Sequence, residues 1–146
     1  NIIIPNKEYQ KQWTDVVSNR LSVGMCSPFG LTAIIAAYTE GEEWLDQARA
    51  YIDGNIRYIE SFVKENLPKA AVMDCQGTYL VWLDLNEYCS DPEKLEELMV
   101  RKAGIVFDEG YIFGPEGNGF ERINAAAQRS TVEACMNRMK AALDTL

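Results

Sequence analysis

Near the end of the chain, the stretch GFERINAAAQRS at residues 119–130 contains several residues of types that can bind a small anion. A strand is predicted there. Because side chains alternate along a strand, Arg122 would share a face with Phe120 and Asn124. The planar guanidinium of arginine suits paired hydrogen bonds to a carboxylate. The pattern indicates a site for a small carboxylate, and the alternative is that Arg122 is an ordinary exposed or salt-bridged surface residue.

A glycine-rich segment, EGYIFGPEGNG at residues 109–119, precedes this strand. Its glycines do not have the GxGxxG spacing, and no helix follows at once to present its amino terminus to a phosphate. We therefore predict a loop that arrives beside Arg122. Phe113 and Gly114 of this loop, together with Asn124, are candidates to line a cleft next to the arginine.

The composition excludes several other kinds of site. The chain contains no histidine, so Ser-His-Asp and Cys-His catalytic arrangements cannot form within it. Its cysteines are too far apart for a CxxC pair, which excludes zinc sites of the usual spacing. They are Cys26, Cys75, Cys89 and Cys135. We predict no catalytic residue and no metal ligand in the chain.

Charge and hydropathy restrict the partners and the compartment. The 146 residues carry a formal net charge of −8, which is unfavourable for binding nucleic acid or an anionic membrane. No apolar run approaches the roughly 20 residues of a membrane span, and no charged-then-apolar leader opens the chain. We expect a reduced, cytoplasmic protein without a nucleic-acid or membrane partner.

Periodicity and capping residues predict five helices, at residues 6–20, 27–41, 42–67, 91–104 and 131–146. The predicted caps of the first, fourth and last helices are Asn6, Asp91 and Ser130. Strands are predicted at residues 2–4, 70–74, 78–85, 105–108 and 120–126. The third helix would be long enough to bridge two domains. The order of elements indicates an α+β fold, with a small mixed or antiparallel sheet covered by helices on one face and preceded by the long bridging helix.

Two features suggest that additional protein contacts the first part of the chain. The sequence opens with the apolar stretch NIIIPN, although chain ends are usually exposed and loosely held. The helix at residues 27–41 is apolar nearly all round between Phe29 and Tyr38, and such a helix needs neighbours on several sides.

Several stretches resemble one enzyme family. Residues 103–143, AGIVFDEGYIFGPEGNGFERINAAAQRSTVEACMNRMKAAL, are similar to the carboxy-terminal end of class I/II pyridoxal-phosphate enzymes of fold type I, and in particular to their cystathionine β-lyase-like C–S lyase branch. That branch typically ends with a GxxFGxxGxGFxRINxA block, followed by RS and an amphipathic helix. Here the block runs from Gly110 to Ala126. QGTYLVWLDL resembles the family's GxYxxWxD strand, and SPFGLTAIIAAYTEGEEWLDQ its helix pair before the small domain.

This resemblance implies an organisation and a role for the site. Residues 1–40 would be a remnant of the large cofactor-binding domain, and residues 41–146 the bridging helix and the carboxy-terminal small domain. Arg122 would bind the α-carboxylate of an amino-acid substrate. The complete protein would use pyridoxal phosphate for C–S lysis or transamination, two reactions that share this half of the site. The family's homodimers imply self-association.

The resemblance also implies what the chain lacks. The family's cofactor-binding lysine precedes the segment that NIIIPN matches, and Lys7 and Lys11 fall on the other side of that segment. We expect no cofactor bound covalently to this chain, which alone would be inactive. The alternative hypothesis is a stand-alone, non-enzymatic α+β module that binds a small molecule or a protein.

Overall fold

The computed structural model describes residues 2–24 and 27–146, so Cys26 lies outside the described residues. Two compact units are present, one up to Leu45 and the other from Asp46 onward. The two units together contain five α-helices and one four-stranded sheet among the described residues. The fold is therefore mixed α and β, as the sequence predicts.

The first unit is helical. Helix α1 spans Lys7–Thr14 and continues into a π-helical turn at Asp15–Arg20. The side chain of Asn6 accepts hydrogen bonds from two backbone N–H groups of the first turn, which confirms the predicted cap. The strand predicted at residues 2–4 is wrong: these residues form no ladder with any described segment. Isoleucine favours extended backbone, but a strand also requires a partner strand.

Helix α2 spans Pro28–Glu40 and ends at Gly41, as predicted. None of its residues is buried. Phe29 and Tyr38 are each 87% exposed, and Ile34 is 59% exposed. The apolar surface that the sequence predicts all round this helix is therefore accessible.

Helix α3 spans Glu42–Asn66, and Gly54 does not interrupt it. Its buried stripe contains one polar residue, Asn55, together with Ile59, Phe62 and Val63. The amide Nδ2 of Asn55 donates to the carbonyl oxygens of Ala125 and Ala127, each at 2.8 Å. This contact joins α3 to the segment that follows the last strand.

The sheet of the second unit contains β1 (Ala71–Val72), β2 (Leu80–Asp84), β3 (Asp108–Glu109) and β4 (Phe120–Asn124). The spatial order is β1-β2-β4-β3, and every pair is antiparallel. The strand predicted at residues 105–108 is mostly wrong: residues 105–107 form no strand, and only Asp108 and Glu109 pair with β4.

Helices α4 (Pro92–Glu97) and α5 (Arg129–Leu143) complete the second unit. Asp91 caps α4 by accepting from the backbone N–H of Lys94, as predicted. A π-helical turn at Leu98–Ala103 extends α4 to Gly104, whose φ of 64° lies in the left-handed region that favours glycine. The predicted start of the last helix is wrong: α5 begins at Arg129, after Gln128.

The core of the second unit lies between one face of the sheet and the helices. Buried apolar side chains come from α3, β2, β4, the helical segment 92–103 and α5. They include Ile59, Val63, Val81, Leu83, Leu95, Met99, Ile123, Val132, Met136, Met139 and Leu143. The other face of the sheet is not covered in this way, and it carries the predicted site.

Candidate functional site

Strand β4 places Arg122 on the uncovered face of the sheet. Glu121 and Ile123 are buried toward the core, whereas Phe120, Arg122 and Asn124 alternate with them on the opposite face. The alternation predicted from the sequence is therefore confirmed. Arg122 lies directly opposite Trp82 of β2 on one side and Asp108 of β3 on the other.

Asp108 forms an ion pair with Arg122. A single carboxylate oxygen, Oδ2, accepts from Nε at 3.1 Å and from Nη2 at 2.7 Å. The two side chains are 24% and 47% exposed, for Arg122 and Asp108 respectively. Nη1 makes no hydrogen bond to any described residue. Asp108 thus occupies one edge of the guanidinium, and the edge formed by Nη1 and Nη2 is available to a ligand.

Aromatic rings lie against the guanidinium of Arg122. Its Cζ lies 4.4 Å from the centroid of the Phe113 ring. Trp82 contacts Phe113 edge to face, with 5.3 Å between the ring centroids. Arginine stacks well on aromatic faces because its charge is delocalised over a flat group. Phe113 is itself 50% exposed, so this stack stands at the surface of the second unit.

A cavity of about 340 Å³ adjoins Arg122. Arg122 and Asn124 line it from β4, Asp108 lines it from β3, and Thr131 and Cys135 line it from α5. A second cavity of about 280 Å³ is lined by Met73, Trp82, Phe113 and Phe120 among others. Of the predicted cleft residues, Asn124 lines the first cavity, Phe113 lines the second, and Gly114 lines neither.

The glycine-rich loop is shaped by a close backbone approach. A side chain at Gly110 or at Gly117 would collide with the backbone of the other, so this crossing requires glycine at both positions. The short 3₁₀ turns Gly110–Phe113 and Pro115–Gly117 flank Gly114, whose φ is 132°. The crossing folds the loop back toward β4 and brings Phe113 under Arg122.

Glu121, the residue before Arg122 in β4, points to the opposite, buried face of the sheet. The side chain is 1% exposed, and its Oε2 has no hydrogen-bond partner among the described residues. Burial, followed by the charges of Glu109, Glu96 and Asp108, raises the pKa of Glu121 to about 8. The carboxyl is therefore mainly protonated at neutral pH. It acts as a neutral core residue and is not available to bind a cation.

Sequence reasoning missed Asp108 and Trp82 as neighbours of Arg122. Both residue types were visible in predicted strands, but their positions beside Arg122 depend on the strand order β2-β4-β3, which the sequence does not specify. The described residues contain no group of three or more acidic, cysteine or histidine side chains placed to hold a metal ion. Within the same residues no helix is both long and apolar enough to cross a membrane.

Comparison with known proteins identifies relatives over nearly the whole chain. No family model matches. The chain is 35% identical over 142 residues to cystathionine β-lyase PatB of Bacillus subtilis, an alignment that covers 97% of this chain and 36% of PatB. It is 34% identical over 131 residues to the MalY protein of Escherichia coli, covering 90% and 34% of the two chains.

Solved structures agree with these relatives. Cystalysin from Treponema denticola, which contains pyridoxal 5′-phosphate, matches with a TM-score of 0.91 and 38% identity over 99% of this chain and 36% of its own. The chain spans about a third of the length of the curated relatives that it matches. The chain belongs to the fold type I family of pyridoxal-phosphate-dependent enzymes, and it corresponds to the carboxy-terminal portion of the C–S lyases and aminotransferases of that family.

Proposed function

We propose that residues 1–146 are the carboxy-terminal part of a pyridoxal-phosphate-dependent C–S lyase or aminotransferase that acts on amino acids, and that Arg122 binds the substrate's α-carboxylate. One observation carries the proposal: the guanidinium of Arg122 lies beside a cavity, and its Nη1/Nη2 edge is not paired with Asp108. A carboxylate can accept two parallel N–H bonds from such an edge.

The proposal assigns the two parts of the chain to two domains. Residues 1–40 would belong to the large cofactor-binding domain, and residues 41–146 would form the bridging helix and the small domain. The exposed apolar surface of α2 supports this assignment, because monomeric proteins rarely leave large contiguous apolar patches uncovered. The same surface supports the proposal that the chain self-associates. The free thiols of Cys75, Cys89 and Cys135 support a cytoplasmic location.

The described residues do not fit the cofactor itself. Pyridoxal phosphate reacts through its aldehyde with a lysine amine, and it supplies an electron sink to the amino acid. No lysine lines either of these two cavities, as far as the described residues show. We therefore assign to this chain the binding and orientation of the substrate carboxylate, and no step of cofactor chemistry.

The test uses the complete protein, meaning the polypeptide in which residues 1–146 occur in the cell. Arg122→Lys keeps the positive charge but loses the planar fork, so we expect a higher KM for L-cystathionine and a loss in kcat/KM equivalent to about 1–3 kcal/mol. Arg57→Lys is the matched control, because Arg57 pairs with Asp53 on the exposed side of α3. Unchanged kinetics in Arg122→Lys would contradict the proposed role.

The coding region gives a second, independent test. An open reading frame that continues upstream of Asn1 and encodes a cofactor-binding lysine would support the proposal. A start codon adjacent to Asn1 would instead favour the stand-alone binding module.

A further inference from the structure

The ion pair between Asp108 and Arg122 raises the question of what the carboxylate does for the arginine. Asp108 is not a chance surface neighbour, since the antiparallel ladder places it directly opposite Arg122. Side chains at such positions meet because their Cβ atoms are about 5 Å apart. The contact is therefore built into the backbone pairing of β3 and β4.

Asp108 contacts only one edge of the guanidinium. Its Oδ2 accepts from Nε and from Nη2, which lie on the same edge of the planar group. The edge formed by Nη1 and the second N–H of Nη2 points away from this oxygen, since the donors of a guanidinium diverge in a fixed plane. An incoming carboxylate can bind there while the ion pair with Asp108 stays intact.

The guanidinium is held in a second direction by Phe113, whose ring covers one of its faces at 4.4 Å from Cζ. Trp82 in turn supports the Phe113 ring at 5.3 Å. The ion pair restrains one edge of the guanidinium, and the ring restrains the group from a second side. Together they order a long side chain before any ligand arrives, which removes part of the ordering cost from binding.

We propose that Asp108 is a positioning residue, which holds the Nε/Nη2 edge of Arg122 so that the Nη1/Nη2 edge is presented to the carboxylate of an amino-acid ligand. This inference rests on the proposed function of Arg122 and adds the residue that sets its orientation. Asp108 does not touch the ligand.

Asp108 also has an effect that opposes carboxylate binding, because its negative charge repels a bound carboxylate. Coulomb energy falls with distance, however, and a carboxylate on the free edge lies against Nη1 and Nη2, with the guanidinium between it and Asp108. The attraction between the carboxylate and the guanidinium that it contacts therefore exceeds the repulsion between the carboxylate and the more distant Asp108. We therefore expect loss of Asp108 to weaken carboxylate binding.

The experiment compares two competitors of thiol release from L-cystathionine by the complete holoenzyme: L-alanine, and L-alaninamide, which lacks the carboxylate. The ratio of their inhibition constants measures carboxylate recognition alone. Comparing each variant with wild type on the same pair of compounds cancels their intrinsic chemical differences. A variant that merely destabilised the fold would lower the active fraction and leave this ratio unchanged.

We expect Asp108→Ala to reduce the preference for L-alanine about 5- to 10-fold, between the effect of an exposed ion pair and that of a buried hydrogen bond to a charged group. Asp108→Asn should recover most of the preference, because the amide oxygen can still accept from Nε and Nη2. Asp53→Ala is the matched control: Asp53 also pairs with an arginine and is 57% exposed.

The outcomes separate this inference from the proposed function. A reduced preference in Arg122→Lys with an unchanged preference in Asp108→Ala would overturn the positioning role and leave the role of Arg122 intact. A stronger preference in Asp108→Ala would show that Asp108 competes with the ligand, which also overturns the inference. An unchanged preference in Arg122→Lys would overturn the proposed function together with the inference that rests on it.

Discussion

Glu121 and Arg122 are consecutive residues of β4, and their side chains lie on opposite faces of the sheet. The Glu121 side chain is 1% exposed in the core. Arg122 projects from the uncovered face and lines a cavity. One strand thus carries a carboxyl that the fold keeps mainly neutral and a guanidinium that it keeps accessible. Substitutions of the two residues therefore test different properties, stability for Glu121 and carboxylate binding for Arg122.

The buried Glu121 predicts that stability falls as pH rises. Its pKa is about 8 in the folded chain, against 4.5 for an ordinary glutamate. Between these values the folded state holds a proton that the unfolded state has released. The free energy of unfolding should therefore fall from about pH 4.5 to about pH 8, with this group contributing a slope that approaches about 1.4 kcal/mol per pH unit.

Glu121→Gln removes the titrating group and should remove this contribution. The measurement is urea unfolding at a series of pH values, in which the NMR signals of Ile123 in the core monitor the loss of the folded state. The difference in unfolding free energy between the variant and wild type should shift in favour of the variant as pH rises. Glu60→Gln, at an exposed position of α3, is the control. Parallel stability curves for Glu121→Gln and wild type would refute the prediction.

Asn55 is predicted to be a strong stabilising residue. It is fully buried, and its amide satisfies two carbonyl groups next to β4. Asn55→Ala would leave the buried carbonyl of Ala125 and the partly buried carbonyl of Ala127 without this partner, at a cost of about 2–4 kcal/mol in the free energy of unfolding. Asn66→Ala is the matched control, because that amide donates to one carbonyl of its own helix. We expect the control to lose less than about 1 kcal/mol. Equal losses in the two variants would contradict the role of Asn55.

Local sequence signals predicted most of the fold. Asp91 and Pro92 begin α4, and Gly104 ends the helical segment that follows, because capping depends on residues close in sequence. The alternation of β4 was equally local. The strand predicted at residues 2–4 failed because isoleucines favour extended backbone without supplying a partner strand.

The surroundings of Arg122 could not be predicted in the same way. Asp108 precedes Arg122 by 14 residues and meets it only through the pairing of β3 with β4. Glu96 illustrates the same limit. This residue of α4 accepts a hydrogen bond from Tyr111 and adds to the charge that raises the pKa of Glu121, and both effects depend on segments distant in sequence. Contacts between distant segments depend on strand order and loop path, which periodicity does not encode.

The exposed surface of α2 predicts self-association of the 146-residue chain. Phe29 and Tyr38 are each 87% exposed, so association would remove apolar area from water. Light scattering should give an apparent mass that rises with protein concentration. The double substitution Phe29→Ser and Tyr38→Ser should shift the chain toward monomer, whereas Val106→Ser, at a 79% exposed position of the second unit, should not. A monomer at all concentrations would argue against the prediction.

The last prediction is that the 146-residue chain alone has no pyridoxal-phosphate activity. Covalent attachment of the cofactor requires a neutral lysine amine that is held beside the substrate site. None of the described lysines lines the two cavities near Arg122, and several are engaged in other contacts. Lys7 donates to Gln10, and Lys102 donates to Thr145. A hydrogen bond with Asp91 raises the pKa of Lys94, which disfavours the neutral amine.

The chain can be mixed with pyridoxal phosphate, reduced with borohydride and analysed by mass spectrometry. Because no lysine is held at the site, we expect low, substoichiometric adducts spread over several lysines, and no thiol release from L-cystathionine. The complete protein under the same conditions is the positive control and should carry one adduct per chain. Arg122 can still bind a carboxylate weakly in the isolated chain, since a single anchor without the rest of a closed site gives little affinity. A single stoichiometric adduct on one lysine of the 146-residue chain, accompanied by thiol release, would show that these residues hold a complete site.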